Sequence, residues 1–431
     1  MKKELNEQFI IDLSKKKNEP EWMLEFRLKS FEKFKELDQP TFGPKLDIDF
    51  DKINYYKSND EKLTNDWDKV NCSIRNTFKD LGVIDAENKY LGGVTNQFES
   101  EVVYHNQEFA DQGIIFTSTD DALQKHPDLF KEYFNHLVNY AENKYTALNG
   151  ALWSGGSFIY IPKGVKVDRP LQSYFRIETE SLGQFERTII IVDEGADLSY
   201  IEGCTAKNYS SSSLHAGVVE IYIKKNGHCR YSTIQNWSTD VYNLVTKRAI
   251  VYDNGLMEWV DGNIGSKVTM KYPSCVLAGE GATGNSISIA YAKEGQQLDA
   301  GAKMIHLAPN TKSNIVSKSI AEAGGVSNYR GLTKISKKAT NSKATIKCDT
   351  ILMDNISKSD TFPTNIVGNN TSTLEHEATI SKVSAEKLFY LTSKGLSEDT
   401  AKELLIMGFI SDFKKELPME YAVELNRLLK E

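Results

Sequence analysis

A thiol, an imidazole and two carboxylates fall close together in Lys347-Cys348-Asp349-Thr350 and Leu374-Glu375-His376-Glu377-Ala378. Thiolate, imidazole and carboxylate are the donor types that hold iron and zinc. Cys348 and His376 are 28 residues apart. On a strand, Glu375 and Glu377 point one way and His376 the other, so all three cannot converge on one metal unless the strand ends or bulges there. The plain alternative is an inert core cysteine and a solvated Glu-His-Glu edge. A second thiol, Cys204, sits in Ile201-Glu202-Gly203-Cys204-Thr205-Ala206. The glycine gives a sulfur donor close approach to backbone, while a reactive thiol also needs access and a lowered pKa. Arg176 and Glu178 are two apart, as are Gln235 and Trp237, and Lys247-Arg248 follows. Polar side chains in strands are costly to bury unpaired, so an inward set would line a polar channel and an outward set would face solvent. Cys229 and Cys275 lie in strand-like runs and read as structural.

These residues need a rack of strands. From Leu148 onward, short runs rich in β-branched and aromatic residues alternate with turn residues: Ser157-Phe158-Ile159-Tyr160-Ile161, Thr188-Ile189-Ile190-Ile191-Val192 and Val218-Val219-Glu220-Ile221-Tyr222-Ile223. The turns share a polar-polar-Gly form with glycines at 195, 227, 255, 281 and 295, in steps of 32, 28, 26 and 14. A step near 28 with a half step of 14 predicts a solenoid with two short strands per unit, its glycines supplying positive φ at the corners. An antiparallel sandwich with similar turns is the competing architecture. Cys348 and His376, one step apart, would then stack on neighbouring units.

Helical patterns flank the strands. Residues 6–37 carry a stripe at Leu24, Leu28, Phe31 and Phe34; residues 60–81 are polar and helix-like; a further helical signal runs from Thr119 past Phe130 and Phe134. At the far end Ser384, Ser397 and Pro418 open three helices. The chain is therefore divided into a mostly helical region 1–148, a β-solenoid 149–378 and a helical tail 379–431.

Composition narrows the function. The 431 residues carry a formal charge of -7, which argues against a nucleic-acid binder. There is no signal-peptide pattern and no run of about 18 apolar residues, so a cytoplasmic chain without membrane association is expected. Five cysteines, widely spaced and without Cys-x-x-Cys, support neither a disulfide framework nor a local metal loop. Dinucleotide and Walker A glycine patterns, HExxH and GxSxG are all missing, so nucleotide hydrolysis is not expected of this chain.

Several stretches together are highly specific: Asn18-Glu19-Pro20-Glu21-Trp22-Met23-Leu24-Glu25-Phe26-Arg27, Gly183-Gln184-Phe185-Glu186-Arg187, Tyr200-Ile201-Glu202-Gly203-Cys204-Thr205-Ala206, Gln235-Asn236-Trp237, Asp299-Ala300-Gly301-Ala302-Lys303, His306-Leu307-Ala308-Pro309-Asn310-Thr311, Cys348-Asp349-Thr350 and Leu374-Glu375-His376-Glu377-Ala378. They resemble, end to end, the SufB/SufD family of the SUF iron–sulfur cluster assembly machinery, on its SufB scaffold side. The tail Glu416-Leu417-Pro418-Met419-Glu420-Tyr421-Ala422 is most similar to members from Gram-positive bacteria.

The resemblance implies a mainly β chain, a right-handed parallel β-helix between helical ends, pairing through the β-helix with SufD or a second copy. It implies docking of the SufC ATPase on the C-terminal helices, with ATP hydrolysis in that partner and a non-enzymatic scaffold here. It implies that persulfide sulfur, from a cysteine desulfurase with a SufE- or SufU-type carrier, is accepted at Cys204. Arg176, Gln235, Trp237 and Lys247 would pass it along the interior. A transient iron–sulfur cluster would form at a dimer interface near Cys348, Glu375, His376 and Glu377, with the ligating members of that triplet left open. Some family complexes hold reduced flavin, for which no residues are assigned. Glu178 stands where the family pattern has asparagine, and the N-terminal Cys-x-x-Cys-x-x-x-Cys of some relatives is absent. A structural SufD-like subunit would be favoured by loss of Cys204 or Cys348, and both are present. A β-helix enzyme acting on polysaccharide would need a secretion signal and clustered carboxylates.

Overall fold

The computed structural model describes residues 4–59, 61–207 and 212–416. Eight parallel strands stack in unbroken order in one sheet: Leu171–Ile177, Asp197–Ala206, His228–Trp237, Leu256–Gly265, Thr283–Ala292, Lys312–Ala321, Lys343–Leu352 and Thr373–Lys382. A second sheet supplies the return strands, among them Arg187–Val192, Val218–Ile223, Val241–Val251, Val268–Lys271, Ser274–Leu277, Lys303–His306 and Val326–Ile335. Among the described strands only two pairings are antiparallel, both near the N-terminal end. The architecture is thus a parallel β-solenoid of about 8 turns with helices at both ends.

The corners use left-handed backbone, but not always at glycine. Gly195, Gly281 and Gly295 have φ of +66°, +70° and +73°. At the two corners that contain Asn-Gly, Asn226 (φ 57°) and Asn254 (φ 52°) take that conformation instead. Asparagine tolerates it because its short amide bonds locally.

Inward side chains form the solenoid core, including Leu198, Tyr200, Cys229, Tyr231, Met257 and Trp259. Helices cover the outer faces. Cys72–Asp80, Glu398–Phe409 and Phe413 pack on the first sheet. Glu21–Glu36 and Lys144–Leu152 pack on the second, beside Thr119–Lys125 and Pro127–Tyr133. Buried ion pairs fix that cover: Arg27 to Glu19 at 2.5 Å and Arg187 to Glu220 at 2.9 Å. Ser384 and Ser397 do cap helices, accepting from the backbone of Lys387 and Thr400. The helix expected from Pro418 lies outside the described residues.

The N-terminal region departs from the sequence pattern. The 6–37 stripe is two helices, Glu7–Lys16 and Glu21–Glu36, separated where Asn18 turns left-handed (φ 51°) and Pro20 cannot continue the first. Among the described residues of 60–81 there is a 3-10 turn at Trp67–Lys69 and an α-helix over Cys72–Asp80, and Lys144–Leu152 is a further helix. Strands Gly93–Phe98 and Glu101–Gln107 extend the first sheet beyond Leu171–Ile177, inside the region expected to be mostly helical. Among the described residues the other end carries no such hairpin. Thr361–Val367 and Thr373–Lys382 form the last coil, with Phe362, Ile366, Val367 and Ile380 exposed.

One glycine is irreplaceable for packing. Gly265 has φ +81°, and a Cβ there would lie 2.0 Å from the Trp237 carbonyl oxygen. Gly265→Ala is expected to lower stability by more than about 2 kcal/mol, read as a fall in urea midpoint at unchanged slope.

Candidate functional site

Parallel pairing in register turns each inward position into a column along the solenoid axis. One column runs Ser173, Glu202, Thr233, Asp261, Ser288, Ser317, Cys348, Ala378. The next runs Phe175, Cys204, Gln235, Asn263, Ala290, Ser319, Thr350, Ile380. Both are polar for most of their length. The column beside Glu202 is aromatic at Tyr200, Tyr231 and Trp259 and becomes aliphatic at Ile315 and Ile346. The interior therefore contains a polar lane that begins beside Cys204 and reaches Cys348.

The lane is held by cations that cross from the second sheet. The Lys247 ammonium donates to Glu202 at 2.7 Å, and Lys271 donates to Asp261 at 2.7 Å and Gln235 at 2.9 Å. All four charged groups are buried, Lys271 and Lys247 at 0% and 1% exposure. Burial works against ionised Glu202, but Lys247, with help from the Tyr231 hydroxyl, outweighs it and holds the carboxyl below its ordinary range. Burial also works against charged Lys247, and Glu202 more than restores it. Lys271 comes out below the ordinary lysine range because burial and the neighbouring Lys247 charge exceed the pull of Asp261. Asn243 donates to Gln235 at 2.8 Å and joins His215, whose other nitrogen meets Glu186 at 2.7 Å. The Trp237 ring packs against His215, tilted by 40°, with centroids 4.6 Å apart. Two buried donors here have no partner, the Gln235 amide Nε2 and the Trp237 indole Nε1.

Cys204 is enclosed in this network. It is 1% exposed, clusters with Trp237 and Phe175, and donates weakly to Glu202 at 3.8 Å. Burial, then the Glu202 charge, pushes its thiol well above the ordinary range. Gln235, Trp237, Lys247 and Cys204 therefore come together. Arg176 does not join them: it pairs in register with Thr205, one position past Cys204, so its side chain leaves on the outer face. There it bonds Thr205 Oγ1 at 3.1 Å and Glu178 at 3.1 Å. The carboxylate at 178 is thus the partner of Arg176 rather than a lining of the lane.

At the other end, Cys348 is buried and its thiol is pushed up to about 12, by burial first, with Tyr329 beside it acting in the opposite sense. The sequence spacing placed His376 opposite Cys348, and the register corrects this. The last step is 30 residues, pairing Cys348 with Ala378 and Ile346 with His376. Cys348 and His376 still share the inward face as diagonal neighbours. Glu375 and Glu377 are exposed and alternate with His376, as strand parity requires. Burial lowers the His376 pKa, so its imidazole is neutral near pH 7; Nδ1 faces the Asn365 amide at 3.2 Å, and Nε2 has no partner. Among the described residues no three His, Cys, Asp or Glu side chains gather into a metal cage. One chain offers a thiol and an imidazole on one face and two carboxylates on the other.

The sequence reading missed Glu202, His215, Asp261 and Lys271. A usable signal existed: Glu202, Asp261 and Cys348 recur near the repeat step, but only with the steps of this solenoid known, from 27 to 31 residues, do they fall in line.

Two outcomes follow from this burial. At pH 8, iodoacetamide is expected to label exposed Cys72 and spare Cys204, Cys229, Cys275 and Cys348 until denaturant is added, read by peptide mass spectrometry. Lys247→Met, which strands a buried carboxylate, is expected to cost about 3–5 kcal/mol, and Lys247→Met with Glu202→Gln much less than the sum of the two single changes, read in urea.

The chain matches two family descriptions: "SUF system FeS cluster assembly, SufBD core domain" over residues 175–409, and "SufBD protein N-terminal region" over residues 11–173. It is 58% identical over 429 residues to an iron–sulfur cluster assembly SufBD family protein of Staphylococcus saprophyticus, covering 99% of this chain and 92% of the relative. It shows the same identity and coverage with SufBD family proteins of Staphylococcus aureus strains MRSA252 and USA300.

Proposed function

The chain belongs to the SufBD family of iron–sulfur cluster assembly proteins, and on that premise we propose that it is a SufB-type scaffold that takes sulfur at Cys204 and builds a nascent cluster at Cys348. The observation that carries this reading is the polar lane, which joins the rung beside Cys204 to Cys348 inside an otherwise apolar solenoid.

Sulfur enters as a persulfide. The Cys204 thiolate attacks the terminal sulfur of the carrier persulfide; the carrier S–S bond breaks, the carrier leaves as thiolate, and Cys204 holds the new S–S bond. No net oxidation occurs in that step. The proton lost by Cys204 has a neighbouring acceptor in Glu202, and Lys247 and Lys271 favour the resulting anion. The unpartnered donors of Gln235 and Trp237 are placed to bond a terminal sulfur anion. Because Cys204 is enclosed, acceptance requires local opening, the step assigned to nucleotide turnover in a SufC-type ATPase docked on the C-terminal helices. The exposed Phe389 and Tyr390 of Ala385–Ser393 suit such docking. Cluster sulfide lies two electrons below persulfide sulfur, so a two-electron donor is needed, and reduced flavin is the expected one.

Cys348 and His376 supply one chain's share of ligands; Glu375 or Glu377, on the outward face, joins only where partner docking bulges the strand. The rest of the set comes from a partner, SufD or a second copy, seated on the open last coil, whose exposed Phe362, Ile366, Val367 and Ile380 and unpaired edge invite strand pairing. All of this takes place in the cytoplasm, with a SufE- or SufU-type carrier as donor.

Anaerobic reconstitution with iron and the partner proteins tests the assignment. Cys348→Ala is expected to lose most of the visible iron–sulfur absorption, whether sulfur arrives as protein persulfide or as free sulfide. Cys204→Ser is expected to lose it only with persulfide. Undiminished absorption in Cys348→Ala would sink the cluster site, and undiminished persulfide-fed assembly in Cys204→Ser would sink the acceptor.

A further inference from the structure

On the outer face of the second sheet, under the segment 37–42, lies a cavity of about 350 Å3. Its floor repeats the columnar logic of the interior with different chemistry. Arg248, Ser274 and Lys303 pair in register on three successive coils and face outward together. A guanidinium-bearing, a hydroxyl-bearing and an ammonium-bearing residue thus stand in one row, one strand apart, along the cavity.

The charges there do not balance. Arg248 is engaged twice by Glu142, at 2.6 and 2.9 Å. Nearby Arg330 is engaged twice by Asp299, at 3.0 and 3.1 Å. Lys303 makes no ion pair among the described residues; its ammonium lies 5.3 Å from the Tyr272 ring centroid. Burial lowers its pKa, the adjacent Arg248 charge lowers it further, and the Glu142 carboxylate works the other way. Ser274 is 2% exposed, lines the cavity, and its hydroxyl has no hydrogen-bond partner. Aromatic rings lie beside this row: Phe42 and Tyr272 have ring centroids 6.2 Å apart, and the Tyr272 ring is fixed by its hydroxyl bond to Asp299 at 2.6 Å.

We propose that this cavity is a binding site for a mononucleotide-sized aromatic phosphate, its oxyanion held by Lys303, Ser274 and Arg248 and its ring against Tyr272 and Phe42. The volume sits at the small end of ligand pockets, which suits one ring and one phosphate. The site is independent of the assembly reading. It lies on the opposite face of the strand that carries Lys247 inward, so an occupant would touch the back of the lane without entering it.

The test is isothermal titration of the full chain with adenosine 5′-monophosphate, inorganic phosphate and adenosine. The monophosphate is expected to bind more tightly than either fragment. Lys303→Met is expected to weaken the monophosphate and phosphate about tenfold, leaving adenosine and the melting temperature unchanged. Phe42→Ala is expected to weaken the monophosphate and leave phosphate alone. Equal affinity in Lys303→Met and wild type, or no binding of the monophosphate at millimolar concentration, overturns the site. Phosphate binding with no gain from the ring overturns the ligand class.

Discussion

In-register parallel pairing governs this molecule. A strand that stacks on its predecessor without shift places residues some thirty apart in van der Waals contact, and repeats that contact along the whole axis. Side-chain chemistry then propagates as columns. One column is aromatic, its neighbour is charged and hydroxylic, and the two differ by only two positions along the strand. The same rule, applied to the outer face, lines up Arg248, Ser274 and Lys303. Neither arrangement needs a loop or a special motif.

Buried charge is poor evidence for stability, because well-packed apolar side chains of similar volume do as well or better. The Arg27–Glu19 and Arg187–Glu220 pairs sit where helices meet the sheet and have a plain role in fixing that contact. The Lys247–Glu202 and Lys271–Asp261 pairs join the two sheets through the middle of the solenoid, where a stack of leucine and isoleucine would serve packing better. Their position puts fixed charge of both signs at the centre of the lane. Toward Cys348 the lysines give way to serines, with Ser288 and Ser317 bonded at 3.2 Å. Polarity is kept while fixed charge is dropped.

Much of the fold was legible. Strand runs with β-branched residues and a glycine-marked turn near every 28 residues pointed to a solenoid and left a sandwich as the alternative; the parallel pairing decides for the solenoid, and the parity of Glu375, His376 and Glu377 held. The lane was legible only in part, because parity says which residues share a face and not which face is inside. Gln235, Trp237 and Lys247 proved inward and Arg176 outward, and nothing local distinguishes them. The Cys348–His376 pairing failed for a related reason: corner lengths vary, so a mean step cannot fix register to one residue, and here the last step is 30. Strands Gly93–Phe98 and Glu101–Gln107 were hidden because glycine at a strand start looks like a chain break.

The two ends of the solenoid are unlike. At one, the hairpin of Gly93–Phe98 and Glu101–Gln107 turns antiparallel and closes the first sheet under helices; at the other, the last coil stands bare. A stack of identical coils is in principle an unlimited polymer, since each new coil offers the surface it has just covered. A covered end interrupts that logic: the hairpin of Gly93–Phe98 and Glu101–Gln107 takes away one of the two surfaces on which a further coil could stack.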